Sequence, residues 1–217
     1  MRSEKLYQHG QSMKRAWSAQ RGISMIDAMF ALVIFSVGLL SLAALQSITK
    51  QANYESLQRS HAATLANGLF ERMRMNSASA GSKATPVSSL GAYVNTALNV
   101  TWYDSMPGQS LDCEANTCTY TQMAQWDLYN WRRSLLGSGE VDNGGGFSAG
   151  GLFDPTFCIT GPGAGASGQY RLTIVWRGQQ SLADTHSANT CGAGNYDNNP
   201  GDNAYRRMLV MSTYLDN

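Results

Sequence analysis

Residues 28–49 contain no charged side chain, and this run limits what the chain can fold into more than any other feature. It is built mostly from Ala, Leu, Val, Ile, Phe and Met. A helix needs roughly 20 such residues to cross a bilayer. Asp27 stands directly before the run, and Gly22 stands five residues before that acid. A secretory signal peptide would place its small-residue cleavage site after a shorter apolar core. Here the order is inverted. A plain signal anchor accounts for Lys14, Arg15 and Arg21, which hold the N-terminus in the cytoplasm. It leaves Asp27 without a role. An acid at the centre of a membrane helix costs roughly 3 kcal/mol on insertion scales, so Asp27 needs a partner or a task.

A cut between Gly22 and Ile23 supplies the partner. It creates an α-amino group four residues before Asp27, one helical turn away along the same chain. Staggered packing of like helices brings a neighbour's amine equally close.

The stretch RGISMIDAMFALVIFSVGLLSLAALQ, residues 21–46, resembles the N-terminus of type IV prepilins. In that family a membrane peptidase cuts after the glycine and methylates the new terminus. The resemblance implies that Gly22 ends the leader, that Ile23 is the N-methylated first residue of the mature chain, and that Asp27 guides assembly. This chain has Ile23 and Asp27 where the family usually has Phe and Glu. The segment ALVIFSVGLLSLAALQ followed by LANGLFERMR is most similar to the PilV family of minor pilins, the type IV pilus modification proteins. Trp131 at the end of MAQWDLYNW, the Cys158-Ile-Thr segment, the strand RLTIVWRG and a final Arg-containing strand are similar to that family's head at the level of pattern.

The resemblance implies an α+β pilin fold: a long N-terminal helix packed on a small antiparallel sheet with disulfides. Four regions are expected: a basic leader at 1–22, a transmembrane segment at 23–49, an amphipathic continuation at 50–76, and a periplasmic or extracellular head at 77–217. One helix from about Ile23 to Met75 would be about 75–80 Å long. Leu57, His61, Thr64, Leu65 and Gly68 recur at spacings of three and four and define its expected apolar face; Arg59, Glu71, Arg72 and Arg74 supply polar positions. A loop is expected over Asn76–Ser89. A second helix is expected over Thr121–Leu136, with Met123, Trp126, Tyr129 and Leu136 on its apolar face. Glycine-rich connectors are expected at Glu140–Gly151 and Gly161–Gly168. Strands are expected at Phe157–Thr160, Gln169–Arg177 and Tyr205–Leu215. In the second strand Tyr170, Leu172, Ile174 and Trp176 take one face; Arg171, Thr173, Val175 and Arg177 take the other.

All four cysteines lie beyond the apolar run, an arrangement that suits two disulfides in an oxidising compartment. Of three connectivities, Cys113–Cys118 with Cys158–Cys191 is favoured. The first closes a short local loop and the second spans one hairpin-sized region. The spacing lacks a Cys-x-x-Cys pair or a nearby histidine pair, which argues against zinc.

Charge excludes strong attraction of the whole chain to nucleic acid. Only 14% of residues are charged, and the formal net charge is +1. Residues 1–22 carry five basic side chains and Glu4, so the leader is net positive and the mature chain net negative. Two arginine pairs, Arg132-Arg133 and Arg206-Arg207, allow a DNA contact, but a solvated face is the favoured reading. The Asp197–Asp202 turn clusters hard oxygen ligands suited to calcium; an Asx-rich turn is favoured instead. His9, His61 and His186 are scattered, and no nucleophile elbow, phosphate loop or His-Glu-x-x-His pair occurs. The expectation is a structural subunit, not an enzyme, with no cofactor and no metal. Ala28, Ala31, Gly38, Ala43 and Ala44 permit close helix packing in lipid.

The implied role is a minor pilin that primes type IV pilus assembly and sits in the filament, at its tip. Its implied partners are other minor pilins, the major pilin, the prepilin peptidase and the inner membrane. Before assembly it would cross the inner membrane once, N-terminus in the cytoplasm and head in the periplasm; afterwards it would lie at the cell surface. A minor pseudopilin of a type II secretion system, and a DNA-binding or adhesive minor pilin, are the alternatives.

Overall fold

The computed structural model describes residues 22, 24–79, 87–94, 111–138, 150–162 and 166–216. Residues 1–21 of the expected leader, Ile23, part of the expected loop at 80–86 and parts of the connectors at 139–149 and 163–165 lie outside them. The chain divides into two compact units, Met1–Ile48 and Thr49–Asn217.

Helix α1 is Met25–Ser79. Its sequence is rich in good helix formers and carries no proline. Asp27 lies in its first turn, where the helix dipole favours an acid. In the first unit the large apolar side chains are exposed, from Met25 to Ile48. Such a continuous apolar surface needs lipid or a partner around it. It is a candidate membrane anchor by length and composition.

In the second unit, α1 buries Gln58, Ala62, Ala66, Leu69, Phe70, Met73 and Asn76. This face is rotated from the expected one. Leu57 is 66% exposed, and Thr64 and Gly68 are exposed, whereas His61 and Leu65 are half-buried. The physical reason is the partner surface: the stripe through Ala62, Ala66, Leu69, Phe70 and Met73 shares one core with Trp131, Phe157 and Ile174, and Leu57 lies outside it. The helix also continues past Met75, because Asn76 is held inside the head. Its Nδ2 donates to the Tyr120 carbonyl at 2.9 Å and to the Tyr93 hydroxyl at 3.2 Å.

A short helix, α2 (Val87–Gly91), occupies the end of the segment expected to be loop. Helix α3 is Tyr120–Leu135 and starts at a capping box. The Thr119 hydroxyl accepts from the Gln122 N–H, and the Gln122 side chain accepts from the Thr119 N–H. Its buried residues are Ala124, Asp127, Trp131 and Leu135. This too is a correction: Met123, Trp126, Tyr129 and Leu136 are only half-buried. Trp126 and Tyr129 stack on each other, with ring centroids 6.1 Å apart.

Three strands form one antiparallel sheet in the order β1 (Thr156–Thr160), β2 (Gly168–Arg177) and β3 (Arg206–Leu215). Phe157 pairs with Ile174, and Ile174 with Leu209. The expected inner face of β2 is buried in one core with Ala62, Leu69, Trp131 and Phe157. Thr173 and Val175 on the opposite face are buried as well. A second cluster of Val175, Cys191, Tyr196 and Met208 covers that face. Cys158–Cys191 crosslinks β1 to the loop between β2 and β3, and Cys113–Cys118 closes the turn before α3, so both pairs are those favoured from spacing. This is the expected α+β architecture: a long helix whose later turns share a core with a small antiparallel sheet, with two disulfides.

After α3 the chain crosses itself at two glycines. A Cβ on Gly137 would lie 2.2 Å from the Gly151 nitrogen, and Gly137 has φ +66°. No side chain fits there.

Candidate functional site

The N-terminal part of α1 is the first candidate. Gly22 is exposed and a Cβ on it would touch nothing within 4 Å. The N–H groups of Asp27 and Ala28 donate to the Ser24 carbonyl at 2.9 and 3.3 Å, which starts the helix. Asp27 is exposed, and its carboxylate has no hydrogen-bond or ion-pair partner among the described residues. Further along, the Ser36 and Ser41 hydroxyls donate to the carbonyls of Leu32 and Val37, which satisfies them without solvent. The uncharged run can therefore enter lipid with Asp27 as its single unmet charge.

The head is held to the later turns of α1 by polar ties that sequence patterns do not show. Trp131 is the first. Its indole N–H donates to the Leu65 carbonyl at 2.7 Å, and its ring meets Phe157 edge-on at 4.8 Å. One side chain thus joins α1, α3 and β1. Gln58 is the second. Its amide accepts from the Phe153 N–H and donates to the Gly151 carbonyl, both at the outer limit of hydrogen-bond length.

Asp127 is the third tie, and it is 7% exposed. Arg72 donates to its Oδ1 at 3.0 Å, and the Tyr93 hydroxyl donates to its Oδ2 at 2.6 Å. Burial pushes the Tyr93 phenol above its ordinary range, and the adjacent Asp127 carboxylate pushes it further. The phenol therefore stays a donor, and the buried acid is matched on both oxygens.

The arginine pair of β3 is internal. Arg206, whose side chain is 1% exposed, donates to Asp184 at 2.8 Å and to the carbonyls of His186, Asn189 and Cys191. Arg207 turns to the other face and donates to Glu55 of α1 at 3.2 Å and to the Gln180 carbonyl at 2.7 Å. Gln180 also bonds Gln51. The expectation of a solvated arginine pair is corrected: strand alternation sends one arginine into the loop and the other onto the helix. Of the Arg132-Arg133 pair, burial lowers the pKa of Arg132, while Arg133 is exposed.

In the Asp197–Asp202 turn, Asp197 accepts from the N–H groups of Gly201 and Asn203. Asp202 accepts from those of Asn198, Asn199 and Ala204. Bonding to the Ala204 N–H and then to Asn198 lowers the Asp202 pKa. These carboxylates serve as turn formers. Among the described residues no group of three or more His, Cys, Asp or Glu is placed to hold a metal ion. His61 lies on α1 and His186 in the β2–β3 loop; His186 bonds Asp184 through its backbone N–H and Arg206 through its carbonyl.

Residues 44–129 match the family model for Tt1218-like type IV pilins. The match starts inside the uncharged run of α1 and ends within α3. It supports a type IV pilin subunit. Neither a curated protein nor a solved structure matches the chain.

Proposed function

We propose that this chain is a minor type IV pilin, stored in the inner membrane through residues 23–49 and inserted into a pilus together with other pilins. The observation that carries the reading is α1 itself. Its first unit exposes an uncharged surface opened by Asp27, and its later turns are tied into an α+β head. A helix exposed in this way is stable in lipid or among like helices. Assembly exchanges one environment for the other at little cost, because both are apolar.

In this reading the prepilin peptidase cuts between Gly22 and Ile23 and methylates Ile23. The new amine then pairs with Asp27 of the same or a neighbouring subunit and sets the stagger. The PilV-like wording of the helix supports a minor role in priming, at the filament tip. The head would lie in the periplasm before assembly and at the cell surface afterwards.

Co-purification of the full chain with other pilins, with pilus counts in cells lacking it, tests this function. A deletion that leaves pili normal but stops export of folded proteins would instead favour the minor pseudopilin of a type II secretion system. The DNA-binding reading loses its principal motif, since Arg206 and Arg207 are spent on internal acceptors.

A further inference from the structure

Five prolines occur in the chain, and Pro155 alone follows an aspartate. Asp154 has φ +50°, in the left-handed region that residues with a side chain seldom adopt. A proline ring presses the residue before it toward extended backbone, at a φ of about −120°. The junction just before β1 is therefore held against its local preference. Bonds on either side hold it. The Arg177 N–H donates to the Phe153 carbonyl at 2.9 Å. The hydroxyl of the fully buried Tyr196 lies 2.8 Å from the Asp154 carbonyl oxygen and 2.9 Å from the Thr156 hydroxyl. A carbonyl has no hydrogen to give, so the phenol donates to Asp154 and accepts from Thr156.

The Asp154 carboxyl is half-buried, and among the described residues it accepts no hydrogen bond and joins no ion pair. Burial raises its pKa, and Arg177 of β2 opposes that rise. Arg177 and Tyr196 are the charged and titratable groups around it, with Arg206 of β3 beyond the phenol.

We propose that Asp154–Pro155 is a self-cleaving bond, set up by the fold for attack of the Asp154 side chain on its own carbonyl carbon. The hydroxyl oxygen of the carboxyl bonds to that carbon and closes a five-membered anhydride. Its proton passes to the Pro155 nitrogen as the C–N bond breaks. Solvent water then opens the anhydride, so the net change is hydrolysis. The Tyr196 O–H is aimed at the oxygen on which charge gathers. Nucleophile and carbon belong to one residue, which removes the entropy of bringing them together. The neutral carboxyl supplies the proton, so cleavage speeds up as pH falls through the raised pKa. The cut separates the helices from the sheet: α1 to α3 precede it and β1 to β3 follow it. Cys113–Cys118 lies on one side and Cys158–Cys191 on the other, so no disulfide joins the pieces.

The test holds full-length protein in a maltoside detergent at about pH 5, above the ordinary aspartate pKa of about 3.9. Intact mass is followed without reduction. Fragments ending at Asp154 and starting at Pro155 should accumulate at a rate independent of protein concentration. Asp154→Gly accepts the left-handed backbone and lacks the carboxyl, so it should stay whole. Tyr196→Phe should cleave about a hundredfold more slowly, the scale for one donor lost from a developing oxyanion. Parent unfolded in urea at the same pH loses that donor too and should slow to a similar degree; this arm decides if Tyr196→Phe fails to fold. Unfolded parent cleaving as fast as folded parent would mean ordinary acid lability of an Asp-Pro bond, and overturns the proposal. So does a folded parent that stays as whole as Asp154→Gly, or a folded Tyr196→Phe that keeps the parent's rate.

Discussion

Arg206 of β3 and Asp184 of the β2–β3 loop form an ion pair at 2.8 Å, with the arginine side chain 1% exposed and the aspartate 10%. Three loop carbonyls share the same guanidinium. The charge is buried, paired and fully engaged at its Nη atoms, so it acts as the clasp that lays the loop on the outer face of the sheet.

Removing that clasp takes the counter-charge from the Asp184 carboxylate and one donor from each of three carbonyls. Arg206→Ala should cost about 3–5 kcal/mol. Urea denaturation would measure the loss, and limited proteolysis should show new cleavage within 178–205. A variant with parent-like stability would mean that the ion pair is incidental. The same change is a poor probe of DNA binding, because it damages the head.

Trp131→Phe separates the indole bond from ring packing. It removes the indole donor from the Leu65 carbonyl and keeps an aromatic ring beside Phe157. A loss of about 1–2 kcal/mol is expected. Trp131→Ala should cost about 3–5 kcal/mol, since a large core ring is deleted. Equal losses for the two variants would show that the N–H contributes everything and the ring nothing.

Tyr93 makes the head sensitive to alkali. Its folded pKa is raised, first by burial and then by Asp127. The unfolded chain releases that proton near pH 10, before the folded state does. Stability conferred by the neutral phenol is therefore whole below about pH 10 and declines as pH climbs from there toward the folded pKa. Tyr93→Phe should cost about 1–2 kcal/mol at neutral pH through the lost bond to Asp127 and flatten the alkaline decline. Stability measured between pH 8 and 11 checks this; an unchanged slope would remove Tyr93 as the cause. Tyr196 is also raised by burial and supplies the residual slope.

Processing is tested at Gly22. Intact-mass analysis of assembled protein should find a chain beginning at Ile23 and carrying a methyl group. Gly22→Glu should leave the uncut precursor in the membrane. Finding residues 1–22 retained in filaments would reject the cut.

Asp27→Ala should insert as well as the parent or better, because an unmet charge leaves the lipid. Cleavage after Gly22 should survive. Partnering should fail, since an amine without its counter-charge destabilises such pairs by about 3–5 kcal/mol. Asp27→Glu keeps the charge and should restore co-purification with other pilins. Parent-like piliation by Asp27→Ala would show that the acid does not set the stagger.

The uncharged run, the glycine and acid before it, the strand pattern and the cysteine spacing are all local, and each was legible in the sequence. Periods of two and of three to four residues, and the length of an apolar run, follow from backbone geometry alone. What a face meets does not. The buried face of α1 passes through Ala62, Ala66 and Leu69 because these share a core with Trp131, Phe157 and Ile174, and Leu57 was left outside. Trp131 and Asp127 displaced Trp126 and Tyr129 from the buried face of α3, because Leu65, Phe157, Arg72 and Tyr93 stood opposite them. Arg206 and Arg207 look like a solvated pair until one reaches a loop 15 to 22 residues upstream and the other reaches Glu55, 152 residues away. Packing and charge pairing act between residues distant along the chain, and only the tertiary structure brings those residues together.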